Sequence, residues 1–556
     1  MSLSERVASA AAWNALLFPA RLLVGLVANV LLFNALTPAE YGVLALLTGL
    51  AATIGLYADP GIERALPRFV PEVERAHGRA GLARFMRGIV GVKLALVAVC
   101  LLALALAHQP IIDLVLQREQ QHLASLEAQA GETHDAAGQA GVAGEIARQR
   151  DLIALIVARG DWFLAAVGAL VVFGALYDVA MQFLTAYFKQ RAWNLITIVV
   201  TLLQPALIIA LLLPGWGLSG VLLGLCLTPV VALLLATQQA RRAAAAVPPA
   251  TAAVAGDLAL LPRFARFAGM SWLVQLSGWF YDVQFLTFVL FGLGMRLEQV
   301  AVLAFAYKFA KDYLGYAYMP FSGVVTPLLA RIRGRDDPAA LHEAAAALTR
   351  LFGLMLLPAG MALAALTPRL LALLYPAYTE TVTLIAILIA GTFLESLLSV
   401  PHNVLMVYER YRPVLVARAL ALVSVPLLVV LVPGFGLVGA ALAVAVARVA
   451  SRLATVVALR RALGVNLPWR ALARNAAASL AMVVPLALLA QVWPLPASAA
   501  GLDGKLLAAA SLAVLGVLAL AGYLLALRWS GGIDPADRAR LLGLRVPFSA
   551  WLARVL

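Results

Sequence analysis

Charged side chains set inside long apolar runs are the chemistry that this sequence offers. In one run Lys308, Lys311, Asp312 and Gly315 recur at helical spacing along a single face, and in another Asp59, Glu63 and Arg64 crowd one end. Asp178, Glu395 and Arg418 complete the set. Near the N-terminus Asn14, Arg21, Gly25 and Asn29 are spaced by 7, 4 and 4, and further on Ser271, Gln275, Gly278 and Asp282 are spaced by 4, 3 and 4. Each quartet therefore draws one polar stripe along a helix. An ionised group at the centre of a membrane helix costs about 2.5–3.5 kcal/mol unless it faces a wet cavity or an opposite charge. A cavity lined by Arg21, Arg64, Lys308 and Lys311 suits an anion such as a diphosphate, because guanidinium binds phosphate through paired hydrogen bonds. With Asp282 and Arg418 these form the expected substrate-binding set. The competing reading is internal pairing, of Lys308 with Asp312, or of Asp59 and Glu63 with Arg64 or Arg68.

The elements that must hold these groups are membrane helices. Of 556 residues, 63% are hydrophobic and 13% charged, against roughly 25% charged in a soluble domain, and the mean hydropathy is +0.93. A crossing needs about 20 apolar residues. Such runs lie near residues 12–36, 41–66, 87–107, 161–188, 193–213, 217–238, 268–292, 299–328, 349–367, 380–407, 413–432, 436–459, 474–493 and 505–527. The expected fold is therefore an all-α polytopic membrane protein of about fourteen helices. The net charge of +14 would suggest nucleic acid in a soluble protein. Here the basic residues gather in alternate short loops, among them Arg68, Arg75, Arg241, Arg263, Arg410 and Arg460, which the positive-inside rule makes cytoplasmic. Both termini then lie inside, the first helix reads as retained rather than cleaved, and no nucleic-acid partner is expected. Cys100 and Cys226 sit in apolar runs with no pairing or metal spacing.

An internal repeat organises the runs. Pro214-Gly-Trp-Gly-Leu-Ser-Gly220 returns as Pro433-Gly-Phe-Gly-Leu-Val-Gly439, an offset of 219, whereas Glu40 and Glu298 in matching segments differ by 258. The difference marks an insertion in the first half, at roughly 117–155, which could form a short helical hairpin outside the membrane. The chain divides into an N-terminal six-helix lobe (1–242), a cytoplasmic linker (243–260), a C-terminal six-helix lobe (261–465), and two additional helices with an amphipathic tail (466–556). Parallel repeats of this kind predict a central cleft between the lobes.

Motifs for catalysis are weak. Both glycine turns satisfy G-x-G-x-x-G, yet neither follows a strand or opens a βαβ unit, so a dinucleotide site is not expected. They read instead as tight external turns. His342-Glu343 lacks the second histidine of a zinc protease, and Glu40 is the sole acid of the first external loop, too few for a membrane glycosyltransferase. The expectation is a transporter, not an enzyme, with no catalytic residue, metal or cofactor.

Leu36-Thr-Pro-Ala-Glu-Tyr-Gly42, the later Asp59-Pro-Gly-Ile-Glu-Arg-Ala-Leu-Pro-Arg-Phe69, and Glu298 to Lys308 resemble the polysaccharide flippases of the Wzx type, in the superfamily that holds multidrug exporters and the lipid II flippase. The resemblance spans residues 1 to 465 in organisation and departs at the long inserted loop. It implies alternating access in a bacterial plasma membrane, a lipid-linked oligosaccharide as substrate, other polysaccharide assembly proteins as partners, and Na+ or H+ coupling at Asp59, Asp178, Asp282, Asp312 or Glu395. The rivals are a drug exporter of the same superfamily, favoured by Tyr281, Asp282, Tyr307, Tyr313 and Tyr316, and a membrane glycan polymerase or ligase.

Overall fold

The structure is a computed structural model and describes residues 23–132, 136–187, 190–245, 260–280, 282–333, 337–493 and 502–531. Arg21, Tyr281, most of the proposed linker and the whole amphipathic tail lie outside the described residues. Among the described residues every regular element is helical: α1 (Leu23–Ala35), α2 (Pro38–Ala58), α3 (Ile62–Glu132), α4 (Ala136–Ala186), α5 (Gln190–Leu212), α6 (Gly217–Ala245), α7 (Leu260–Trp279), α8 (Val283–Gly292), α9 (Leu297–Arg333), α10 (Pro338–Leu374), α11 (Val382–Leu397), α12 (Ser399–Val407), α13 (Tyr411–Ala419), α14 (Ser424–Leu463), α15 (Trp469–Val492) and α16 (Leu502–Ser530). Among the described residues ten helical stretches are long and apolar enough to cross a membrane, or eleven with the bent pair α7–α8. The chain is a multi-pass α-helical membrane protein. The number falls below fourteen runs because 413–432 and 436–459 lie in one stretch, Tyr411–Leu463, because α9 is rich in charge, and because only Leu23–Ala35 of the first run is described, as a shorter apolar helix. The chain forms two compact units, Met1–Ala304 and Phe305–Leu556.

In the first unit, α2 starts on a capping box that its sequence dictates. The Thr37 hydroxyl accepts from the Glu40 amide at 3.2 Å, and the Glu40 carboxylate accepts from the Thr37 amide at 2.9 Å. The run at 41–66, expected as one helix, is broken at Asp59-Pro60-Gly61. Proline drives Asp59 out of the helical region, to φ −123°, ψ 86°, and Gly61 then takes φ +81°. A side chain at Gly61 could not fit either, since a Cβ there would lie 2.0 Å from the Ala268 carbonyl oxygen. The break lies directly against α7. Beyond it α3 turns at Gly78, and its first arm buries Leu66, Phe69 and Val70 against Leu184, Phe264 and Ala268.

The inserted segment is not a separate loop: it extends α3 and α4 past their apolar portions. From Pro110 to Glu132 this extension reaches roughly 35 Å at 1.5 Å per residue. Its two arms are joined by Gln149 to the Glu119 carboxylate at 2.7 Å and by Arg150 to Glu127 at 2.7 Å. The base of the hairpin rests on the turn before α9, where His122 Nε2 meets Arg296 at 3.0 Å. The seventh expected run, 268–292, is also broken, bending by 54° between α7 and α8.

In the second unit α10, α11, α12 and α14 close around Val325, Phe352, Leu356, Val400, Val404 and Leu459. The run at 380–407, expected as one helix, divides at Leu398 into α11 and α12. The repeat is visible locally. Gly217 and the equivalent Gly436 both have positive φ, +52° and +56°, and Gly220 and Gly439 approach the backbones of Leu211 and Leu431. Both turns reverse the chain tightly enough that no Cβ fits at the second glycine. α15 and α16 pack on α10 through Met482, Leu486, Leu515 and Tyr523. Arg369 donates to the carbonyls of Ala490 and Trp493, capping the end of α15.

Candidate functional site

Each unit holds one ionic centre among its helices. In the first unit the break at Asp59 creates the centre. With the helix ended, Asp59 accepts the amide of Glu63 at 3.3 Å and so opens the next helix. Lys93, carried back by the second arm of α3 after the Gly78 turn, lies 1% exposed with its ammonium 3.3 Å from Asp59 and 2.5 Å from Glu63. Asp178 on α4 stands within coulombic range of Lys93, Asp59 and Glu63 and is exposed. Three carboxylates thus share one ammonium. The carbonyl of Leu56, released by the break, accepts the indole N–H of Trp272 at 2.9 Å. Breaks of this kind leave backbone groups and charges where transporters place ligands.

The second unit inverts that ratio. Glu395 on α11 receives Arg448 at 2.9 Å on one carboxylate oxygen and Arg452 at 2.8 Å on the other. Arg448 also donates to the hydroxyls of Tyr307 and, at 3.4 Å, Thr392. Arg418 on α13 adds its charge to the field at Glu395. Three guanidiniums thus surround one carboxylate. Tyr307 belongs to α9, whose next turns carry the Lys308–Asp312 pair at 2.6 Å and the exposed Lys311, 5.6 Å from the Tyr307 ring centre. Behind them Phe305 stacks on Tyr378 at 4.0 Å.

Of the residues singled out from sequence, Asp59 and Asp178 meet in the first centre, and Glu395 and Arg418 meet in the second. Lys308 and Asp312 form the i, i+4 pair that the competing reading described. Arg64 is exposed beside Glu63, and Asp282 sits at the N-terminus of α8, in the bend. Asp59 and Glu63 share the cation of Lys93, whereas Arg68 lies over the Phe267 ring at 5.0 Å. Sequence reasoning passed over Lys93, Arg448 and Arg452. The signal was present, since each is a charge inside an expected span, at 87–107 and 436–459.

No family model and no curated protein sequence matches the chain. In three dimensions it is similar to the lipid II flippase MurJ in an inward closed conformation, with TM-score 0.59 and 14% identity over 92% of this chain and 98% of that one. It is also similar to an inward-facing multidrug resistance MATE family transporter of the MOP superfamily, with TM-score 0.51 and 15% identity over 80% of this chain and 94% of that one. The likeness establishes the fold, which runs through nearly the whole length of both. It is a fold of the kind that the resemblance implied.

Proposed function

We propose that the protein flips a polyprenyl-diphosphate-linked oligosaccharide from the cytoplasmic to the outer leaflet of a bacterial plasma membrane, by alternating access, for assembly of a cell-surface polysaccharide. The observation that carries this reading is the cluster of guanidiniums in the second unit. Arg448, Arg452 and Arg418 gather at Glu395, and Lys311 is exposed on α9 close by Tyr307. A guanidinium keeps its charge at any physiological pH and matches the oxygens of a diphosphate, so such a cluster suits an anion. The similarity in fold to a lipid II flippase supports the same substrate class.

The driving force is assigned to the first unit. Of the carboxylates considered for Na+ or H+ coupling, Glu395 has both oxygens on arginines and Asp312 is paired with Lys308. Asp59, Glu63 and Asp178 share a single ammonium, and they can exchange protons. A cation exporter, the rival reading, rests on Tyr281, Asp282, Tyr307, Tyr313 and Tyr316. Against it, Asp282 opens α8 and the Tyr307 hydroxyl receives the guanidinium of Arg448.

Purified protein in liposomes, given a fluorescent polyprenyl-diphosphate sugar on one side, tests the proposal. Wild-type flux is expected, with Lys311→Ala and Arg418→Ala each slowed about tenfold at limiting substrate, as for one lost charge-assisted contact. Unchanged flux in both variants would remove the basic groups from the substrate path. Transport of lipophilic cations with none of the sugar lipid would select the exporter.

A further inference from the structure

Where α2 breaks, the first unit presents a cluster of aromatic rings, one of them open, beside the ionic centre. Tyr57, two residues before Asp59, is 49% exposed, beside the fully buried Ala58. Its ring stands edge-on to two indoles of α7, 6.3 Å from Trp272 at 64° and 6.4 Å from Trp279 at 75°. Trp272 is held by its bond to the Leu56 carbonyl, and Trp279 by contact with Phe285 at 4.6 Å. The shelf is therefore rigid while one ring stays open.

Two buried polar atoms adjoin it with no hydrogen-bond partner: Nε1 of Trp279 and Oγ1 of Thr53, one helical turn before Tyr57 on the same face. Thr53 departs from the habit of Thr48, Thr185, Thr197, Thr201 and Thr228, whose hydroxyls all return to the carbonyl four residues back. An aromatic residue of a membrane-interface belt keeps its polar tip in water. The Trp279 N–H is instead shut away from water and unsatisfied, an arrangement that is costly unless a ligand completes it.

We infer that Tyr57, Trp279 and Thr53 form a subsite for a sugar ring of the transported lipid. The inference rests on the flippase reading and names the part of the first unit that recognises the glycan. A pyranose has an apolar C–H face that stacks on an aromatic ring and a rim of oxygens that accept from an indole N–H and exchange hydrogen bonds with a hydroxyl. The shelf offers both kinds of contact. A bare diphosphate lipid would use neither.

The test uses the full chain in lipid nanodiscs and two probes, farnesyl diphosphate and farnesyl-diphosphate-linked N-acetylglucosamine, with tetraphenylphosphonium as a third. Tyr57→Ala is expected to weaken the sugar-bearing probe about tenfold and the bare diphosphate by less than about twofold, while Tyr57→Phe restores binding. Trp279→Phe and Thr53→Val, which keep the shape and remove the donors, should each weaken the sugar-bearing probe alone, and they carry the test if Tyr57→Ala does not fold. Equal losses on both probes, or none, would overturn the subsite and leave the flippase reading intact. Tyr57-dependent binding of tetraphenylphosphonium would make the shelf a cation site and overturn it too. Failure of wild type to bind either farnesyl probe would sink both the subsite and the flippase reading.

Discussion

The two ionic centres are near-inverses. In the first unit one ammonium serves three carboxylates, and in the second one carboxylate serves three guanidiniums. The difference is one of chemistry as well as sign. Carboxylates crowded together can relieve their repulsion by taking up protons, whereas guanidinium does not release them at any pH a cell meets. The first centre is thus able to change its net charge, and the second is a fixed positive field. The backbone differs in the same way. α2 breaks at Asp59 to Gly61, but 258 positions on, through Ala317 to Met319, α9 continues as helix.

The strongest test of this contrast is to remove the minority charge from each centre. Glu395→Ala should cost about 3–5 kcal/mol, because Arg448 and Arg452 are left buried without their counter-charge. Thermal unfolding in detergent should show that loss equally at pH 6 and pH 8. Lys93→Met should cost less, roughly 1–3 kcal/mol, and its unfolding temperature should be higher at pH 6 than at pH 8, since protonation neutralises the stranded carboxylates. Equal pH responses in the two variants would erase the distinction drawn here.

Between these two in size lies the backbone break. Gly61→Ala should destabilise by about 2–4 kcal/mol, combining a left-handed φ with a clash on the Ala268 carbonyl. Protease sensitivity near the α2–α3 junction would report it.

The smallest effect belongs to the hairpin. Arg296 can only donate, so His122 Nε2 must accept, and Nδ1–H then faces Ser125 Oγ at 3.3 Å. The docked ring is neutral. Burial, with the charge of Arg296, pushes its pKa below 6.5. A group with a depressed folded pKa adds stability that is complete above its unfolded value and is lost as pH falls through the folded one. Glu119 is raised by burial and acts in the opposite sense, so Glu119→Gln isolates the histidine. In that background, hydrogen exchange at the hairpin base should rise as pH is lowered below the ordinary histidine range, and His122→Gln should flatten the response.

Much of the fold could be read from the chain. Apolar runs gave the helices, and the paired P-G-x-G-L-x-G segments located two equivalent turns, because hydrophobic periodicity and glycine conformation are local properties. The breaks were harder. Asp59-Pro60-Gly61 is a strong stop signal, yet it was absorbed into an apolar run whose length alone suggested one helix. The Lys308–Asp312 pair was readable because its members lie one turn apart.

Sequence by itself determined that this chain resides in a membrane, that it is helical, that one glycine turn occurs in it twice, and that it carries charges which such an environment must compensate. Beyond one helical turn, tertiary structure decided who compensates whom. Lys93 reaches Asp59 and Glu63 only because α3 doubles back at Gly78, and Glu395 meets Arg448 and Arg452 only because α11 packs on α14. The free energy of burying a charge is a property of one residue and its local run, but the partner that offsets it is fixed by the register between helices distant in sequence.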